Sequence, residues 1–259
     1  MKGGPSCRFS FPCASLRRGE LPLFDELLLQ GRYIGEIGPD EAPEFRSTWK
    51  DQMTVFEHIL TQSQFADGRI MSIHSRRTSR AVLDCIEKFP QAGLPILHWF
   101  SGSLGDLDRA IELRCWFSAG PAMLASVKGR HLADRMPQDR VVTETDGPFA
   151  QFEGRRIVPW DVEHASSSLA QIWNLDEDFT KQLIQDNFQT LCAESPALHS
   201  VPIQHGRSFE YTEAMLGNGL ARPQAMCPIT LSLFDPQVTD STDPNSDEFS
   251  ARKRMIVST

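Results

Sequence analysis

No apolar run in this chain approaches the ~20 residues of a membrane-spanning helix, which argues against a helical span. The six cysteines, Cys7, Cys13, Cys85, Cys115, Cys192 and Cys227, are scattered and contain no C-x-x-C pair. Neither a zinc knuckle nor a disulfide framework is indicated, and a reduced, cytoplasmic setting is expected. Positive charge is also short: 26 Lys and Arg stand against 34 Asp and Glu, for a net charge of −8. An acidic chain is a poor non-specific binder of polyanions, so a nucleic-acid substrate would need bound cations and a local basic patch. The segment from Arg8 to Leu16 is mildly apolar but broken by Ser10, Pro12 and Ser15, and makes a poor signal peptide. Finally, no histidine precedes His58.

What is present is a repeated pattern. The run Arg140 to Phe149 passes from a β-branched stretch to two carboxylates, Glu144 and Asp146, and then to a Gly-Pro turn. A buried strand delivers an acid to the rim of a sheet in this way. Three earlier runs end alike: Tyr33 to Gly38 on Glu36, Arg69 to Arg76 on His74, and Pro95 to Gly102 on His98. A fifth, Cys115 to Gly120, ends on glycine. Metal-competent side chains at strand ends suit a parallel barrel, whose chemistry lies at the C-terminal ends of its strands.

Between these runs the apolar period is helical. Leu23 to Gln30 reads as a helix, and Phe45, Trp49, Met53, Phe56 and Leu60 mark a long amphipathic one. Ala81 to Phe89, Leu104 to Ile111 and Ala125 to Arg135 are further helices, and two more are marked by Val162 to Ile172 and Phe179 to Leu191. Strand and helix alternate five times, the pattern of βαβ units and a parallel sheet. With 259 residues, 40% of them hydrophobic, one substantial core is expected. Residues 1–20 show no clear period, and residues 194–259 are polar and acidic, most clearly Asp235 to Ser250. That tail is expected to be disordered.

Taken together, Gly35-Glu36-Ile37-Gly38, Ile73-His74-Ser75-Arg76, His98-Trp99-Phe100-Ser101-Gly102 and Glu144-Thr145-Asp146-Gly147-Pro148 resemble, in order and spacing, the TatD family of metal-dependent deoxyribonucleases. The resemblance covers roughly Leu21 to Ala193. The strings Ser72 to Arg77, Leu97 to Ser103, Phe117 to Leu124, Lys128-Gly129-Arg130 and Pro159 to Val162 look closest to one branch, the TatD-like nuclease of the Qat anti-phage defence system. The resemblance implies an α/β, amidohydrolase-like TIM-barrel hydrolase that binds divalent Mg, Mn or Zn and cuts DNA phosphodiester bonds. Other Qat-system proteins would be its partners. It implies Glu36, His74, His98 and Asp146 as metal ligands, Asp146 as base for the attacking water, and Glu144 as a candidate ligand of a second ion. Asp40 stands where the family also carries an Asp, and would support a ligand from behind.

The family pattern opens with a strand bearing His-x-His, and no such strand is found here. The expected architecture is therefore an N-terminally truncated barrel with roughly five of eight strands: a leader at 1–20, a partial barrel at 21–193, and a tail at 194–259. On that expectation the second ion loses its histidines, and the chain alone shows little or no nuclease activity. Two other readings remain open at this point, an inactive fragment serving as a binding subunit and a barrel hydrolysing a different ester or amide. A lone His ending a strand is more often a structural hydrogen-bonder than a ligand; the register of His74 and His98 with Glu36 and Asp146 favours a metal site. Arg76 is the candidate phosphate holder. Arg77, Arg80, Lys128, Arg130, Arg155 and Arg156 are weaker candidates for a basic rim. Trp99, Phe100, Trp116 and Phe117 read as core before they read as base-stacking residues.

Overall fold

In the computed structural model, residues 18–147 and 149–194 are described, so the expected disordered tail and nearly all of the expected leader lie outside the described residues. Five strands form one parallel sheet in sequential order: β1 (Tyr33–Ile37), β2 (Arg69–Ile73), β3 (Gly93–His98), β4 (Trp116–Ala119) and β5 (Val141–Thr143). The five anticipated strand ends therefore stand side by side. Helices α1 (Leu21–Leu28), α2 (Trp49–Phe65), α3 (Ser79–Lys88), α4 (Leu104–Glu112), α5 (Pro121–Leu124), α6 (Val127–Arg135), α7 (Val162–Trp173) and α8 (Glu177–Ala193) complete the frame.

Alternation along each strand sorts the side chains between two faces. Met71, Ile73, Leu97, Phe117, Ala119 and Val141 point outward into the main core. There they meet Val55, Phe56 and Ile59 of α2, Val82 and Leu83 of α3, Leu107 of α4, Leu132 of α6 and Leu169 of α7. Burying each large apolar side chain in such a core contributes about 1.5–3 kcal/mol. The inward face carries Ile70, Ile96, Trp116 and Val142, with Tyr33 and Leu94 at its margin. Helix α8 covers it through Leu191 and Phe188. Asn187 Nδ2 donates to the Gln138 and Val141 carbonyls at 2.7 and 2.8 Å, beside the start of β5. Arg32 donates to the Cys192 carbonyl, and the Tyr33 hydroxyl lies 3.3 Å from Cys192 Sγ, at the start of β1. One helix thus touches both edge strands at their N-terminal ends and leaves the opposite ends open.

Three local features depart from the periodic reading. The long helix begins as a 3-10 turn, Pro43–Thr48, because Pro43 sets the first turn before regular hydrogen bonding starts. The helix expected over Ala125 to Arg135 begins at Val127, where the Ser126 side chain accepts from Gly129 N–H and caps α6, and a separate short helix, α5, stands before it. After β5 a short antiparallel hairpin, β6 (Gln151–Phe152) with β7 (Arg155–Arg156), was not legible from alternation, since two residues per strand carry no period. It is held by Arg155, whose guanidinium donates twice to Asp161 at 2.7 Å.

Candidate metal centre

Each anticipated site residue reaches the open end of the sheet by a separate device. In β1 the register with β2 slips between Ile34 and Ile37, while both isoleucines stay in the outer core. The bulge leaves Glu36 free to turn inward, as bulges beside functional sites do. Gly38 follows with φ +117°, and a Cβ there would sit 2.2 Å from the His74 carbonyl, so only glycine lets β1 leave the sheet this close to β2. His74 and His98 each come one residue after, or at the end of, an outward-facing pair, Ile73 and Leu97, and so face inward. Glu144 follows the outward Thr143, and its N–H continues the ladder to the Ala119 carbonyl. Asp146 adopts a left-handed backbone, φ 52°, and its carbonyl accepts from Phe149 and Ala150.

The side chains converge. His74 Nδ1 lies 2.8 Å from Glu36 Oε1, and His98 Nε2 lies 3.7 Å from the same oxygen. His98 Nε2 is also 3.8 Å from Asp146 Oδ1. The two imidazole rings are 6.4 Å apart. One donor atom each from Glu36, His74 and His98 falls within a mutual 4.8 Å. Around an ion with bonds near ~2.1 Å, neighbouring ligand atoms sit roughly 3.0–3.4 Å apart, so a small contraction would suffice. Two imidazoles with carboxylates suit Zn or Mn, and carboxylates admit Mg. The donor set fits a divalent cation.

Each histidine has a carboxylate behind it. Asp40 Oδ2 is 3.0 Å from His74 Nε2, and Asp40 Oδ1 accepts from Ala42 N–H at 2.7 Å. Gln52 clamps the Asp40 backbone from both sides, accepting from its N–H at 2.7 Å and donating to its carbonyl at 3.1 Å. Glu144 Oε2 is 2.5 Å from His98 Nδ1. Glu144, the candidate second-ion ligand, stands on the Nδ1 edge of His98, with Glu36 and Asp146 facing the ring's other nitrogen. Pairs of this kind fix the imidazole tautomer and ring orientation. Arg76, the expected phosphate holder, is half exposed and lies 3.8 Å from Asp40 and 3.6 Å from Glu44.

The charges are matched accordingly. Burial pushes the His74 imidazolium down, but hydrogen bonds to Asp40 and Glu36 and the Glu36 charge raise it to about 9. Burial opposes the His98 imidazolium too, yet the Glu144 and Glu36 charges, the Glu144 hydrogen bond and Asp146 raise it to about 10. For Asp40, burial would raise the carboxyl; hydrogen bonds from His74 and the Ala42 N–H, with the charges of His74 and Arg76, hold it below its ordinary value. Without a cation the surrounding carboxylates favour the charged form of both imidazoles, so metal binding would compete with protons.

A family profile described as TatD-related DNase matches residues 18–193. The chain belongs to this family. An uncharacterized metal-dependent hydrolase of Haemophilus influenzae is 26% identical over 163 residues, 60% of this chain and 62% of that protein. The uncharacterized metal-dependent hydrolase YjjV of Escherichia coli is 25% identical over 59% of each chain. Its crystal structure superposes with a TM-score of 0.57 at 22% identity, covering 69% of this chain and 73% of that one. A TatD-family hydrolase from Entamoeba histolytica gives 0.59 at 17% identity, over 69% and 70%. These likenesses support the α/β barrel-type fold, and the chain spans about three fifths of the length of the curated relatives it matches.

The structure also sorts the remaining candidates. Phe100, Trp116 and Phe117 are buried, as their strand positions implied. Lys128 Nζ donates to the Ser101 carbonyl at 2.5 Å, and Arg155 is committed to Asp161. His58 lies 2.8 Å from Asp25 and ties α2 to α1. His199 and His205 lie outside the described residues. Gln52 was missed; its signal was a polar residue inside the apolar stripe of α2, flanked by Val55, Phe56 and Ile59.

Proposed function

We propose that this TatD-family chain is a divalent-metal-dependent nuclease acting on DNA phosphodiester bonds, with Glu36, His74, His98 and Asp146 holding the metal. The observation that carries the reading is the convergence of the Glu36, His74 and His98 donor atoms at the open ends of adjacent parallel strands, with Asp146 3.8 Å from His98. A bound divalent cation would supply Lewis-acid polarisation of a phosphate oxygen and acidify water. Asp146, a quarter exposed at the mouth, accepts the proton of the attacking water at its carboxylate. Glu36 spans both histidines from β1 and sets where the ion rests. Arg76 is close enough to the cluster to exchange its contacts with Asp40 and Glu44 for a substrate phosphate. The strings that resemble the Qat branch support a place in anti-phage defence, in the cytoplasm, with other Qat-system proteins as partners.

A second reading, a binding subunit with little catalysis, is favoured by one observation: among the described residues the sheet has five strands, with β1 and β5 as its edges. The deciding experiment is digestion of DNA with Mn or Mg by the full chain and by Asp146→Ala, beside calorimetric metal titration. Metal binding with cleavage abolished in the variant supports the nuclease. Metal binding without cleavage supports the binding subunit, and adding a segment that bears His-x-His would then be expected to produce hydrolysis. No metal binding refutes both metal-dependent readings.

A further inference from the structure

The His98–Glu144 pair is built across a strand. His98 ends β3 and Glu144 follows β5, and β4 lies between them. Strands two apart are separated by roughly 9.5 Å, so the 2.5 Å contact between the two side chains arches over β4. Beneath the arch β4 presents Ser118, the register partner of both His98 and Val142, and then Gly120. A Cβ on Gly120 would sit 3.1 Å from the Glu144 carbonyl and 3.5 Å from its Cγ, so the smallest residue keeps the Glu144 side chain low over the strand. Ser118 is 4% exposed. Its hydroxyl and Glu144 Oε1 are both buried and both lack a hydrogen-bond partner. A buried hydroxyl without a partner is costly and rare, and a buried carboxylate oxygen without one more so. Here a buried donor on β4 and a buried acceptor just past β5 lie on the same inward face: by register Glu144 follows Thr143 opposite Gly120, two residues beyond Ser118, and its side chain reaches back to His98, which is level with Ser118.

We propose that Ser118 is a positioning residue whose hydroxyl donates to Glu144 Oε1, holding Glu144 so that His98 keeps Nδ1–H toward it and turns Nε2 to the cation. A χ1 rotation of Ser118, or one intervening water, completes the contact. Ser118 touches neither cation nor substrate and acts only through Glu144. The proposal rests on the metal-centre reading for its consequence, but the Ser118–Glu144–His98 chain exists without metal and can be read without it.

The test compares wild type, Ser118→Ala and Ser118→Cys, with Glu144→Gln and the Ser118→Ala/Glu144→Gln double variant. The metal-free readout is the downfield proton resonance of His98 Nδ1–H, assigned by its loss in Glu144→Gln. It is expected to be exchange-protected in wild type and lost or broadened in both Ser118 variants. The second readout is calorimetric titration with Mn or Zn alone. Ser118→Ala is expected to weaken binding about 10–100-fold, the usual consequence of losing an outer partner of a metal-bound histidine. In the Glu144→Gln background Ser118→Ala is expected to cost nothing further. A merely structural serine behaves otherwise: removing an unpartnered buried hydroxyl leaves metal affinity and the resonance unchanged and leaves the melting temperature equal or higher. That result, in either Ser118 variant, overturns the proposal. Should wild type bind no metal, the metal-centre reading fails, and the Nδ1–H resonance alone decides the role of Ser118.

Discussion

Replacing Asp40 by Asn separates the support behind a histidine from the histidine itself. Asp40 is 4% exposed, and its two carboxylate oxygens serve the Ala42 N–H at 2.7 Å and His74 Nε2 at 3.0 Å. In Asp40→Asn the side-chain oxygen can keep Ala42, but the amide NH2 then faces the Nε2–H of His74, donor against donor. One hydrogen bond to a charged partner is lost, worth about 1.5–3 kcal/mol. The Gln52 contacts are to the Asp40 backbone and survive, so the loop stays folded. Metal-free stability measured by urea unfolding is therefore expected to fall by about 1.5–3 kcal/mol. His74 is also freed to rotate, and affinity for Mn or Zn is expected to fall about 10–100-fold. Glu44→Gln is the control: Glu44 is half exposed and lies 3.6 Å from Arg76, so a change within about 0.5 kcal/mol is expected. Asp40→Asn with wild-type metal affinity and wild-type stability would refute the claim that Asp40 orients His74.

Three further outcomes follow from the fold. Asn187→Ala removes both donors to the Gln138 and Val141 carbonyls, and urea unfolding is expected to show a loss of about 2–4 kcal/mol, from two buried acceptors left unsatisfied. Acid should unfold the chain partly through Asp161 and Asp106: the Arg155 hydrogen bond holds Asp161 low, while for Asp106 the Ser103 and Ser79 hydrogen bonds outweigh the opposing effect of burial. Depressed carboxyls contribute stability above their unfolded value, near pH 4, and lose it as pH falls through the folded value. Asp161→Asn should flatten the fall in urea midpoint below that pH. Burial raises the thiols of Cys85 to about 11 and Cys115 to about 12, so alkylation at neutral pH followed by peptide mass spectrometry should label Cys192 before either.

The sheet was legible because four of its five strands announce themselves twice, by a β-branched or aromatic run and by the polar side chain that ends it, while β4 shows its aromatic run and ends on Gly120. Ile73 before His74 and Leu97 before His98 are outward core residues, so the next position must face inward. Glu36 was legible by resemblance but not by alternation: a strict period of two from Ile34 would have put Glu36 on the outer face, and only the bulge between Ile34 and Ile37 reverses it. Bulges depend on pairing with a second strand and leave no local period. Glu144 shows the same limit in another form. Its type and position marked it as a candidate ligand, yet its contact with His98 reaches across β4, a proximity that sequence spacing does not encode.

The two histidines are held by carboxylates with unequal support. Behind His74, Asp40 is fixed by the Ala42 N–H and, through its backbone, by Gln52 on α2, so that side of the cluster is anchored to the outer core. Behind His98, Glu144 has one oxygen committed to the ring and one buried without a partner. Without the proposed Ser118 donor, Glu144 would be the looser of the two supports, because one of its buried oxygens would stay unsatisfied. Ser118→Ala is therefore expected to loosen the His98 side of the cluster, while the His74 side, held through Asp40, Ala42 and Gln52, stays as it is in the wild type. Loss of exchange protection at both imidazoles in that variant would refute this division of the cluster into two independently supported halves.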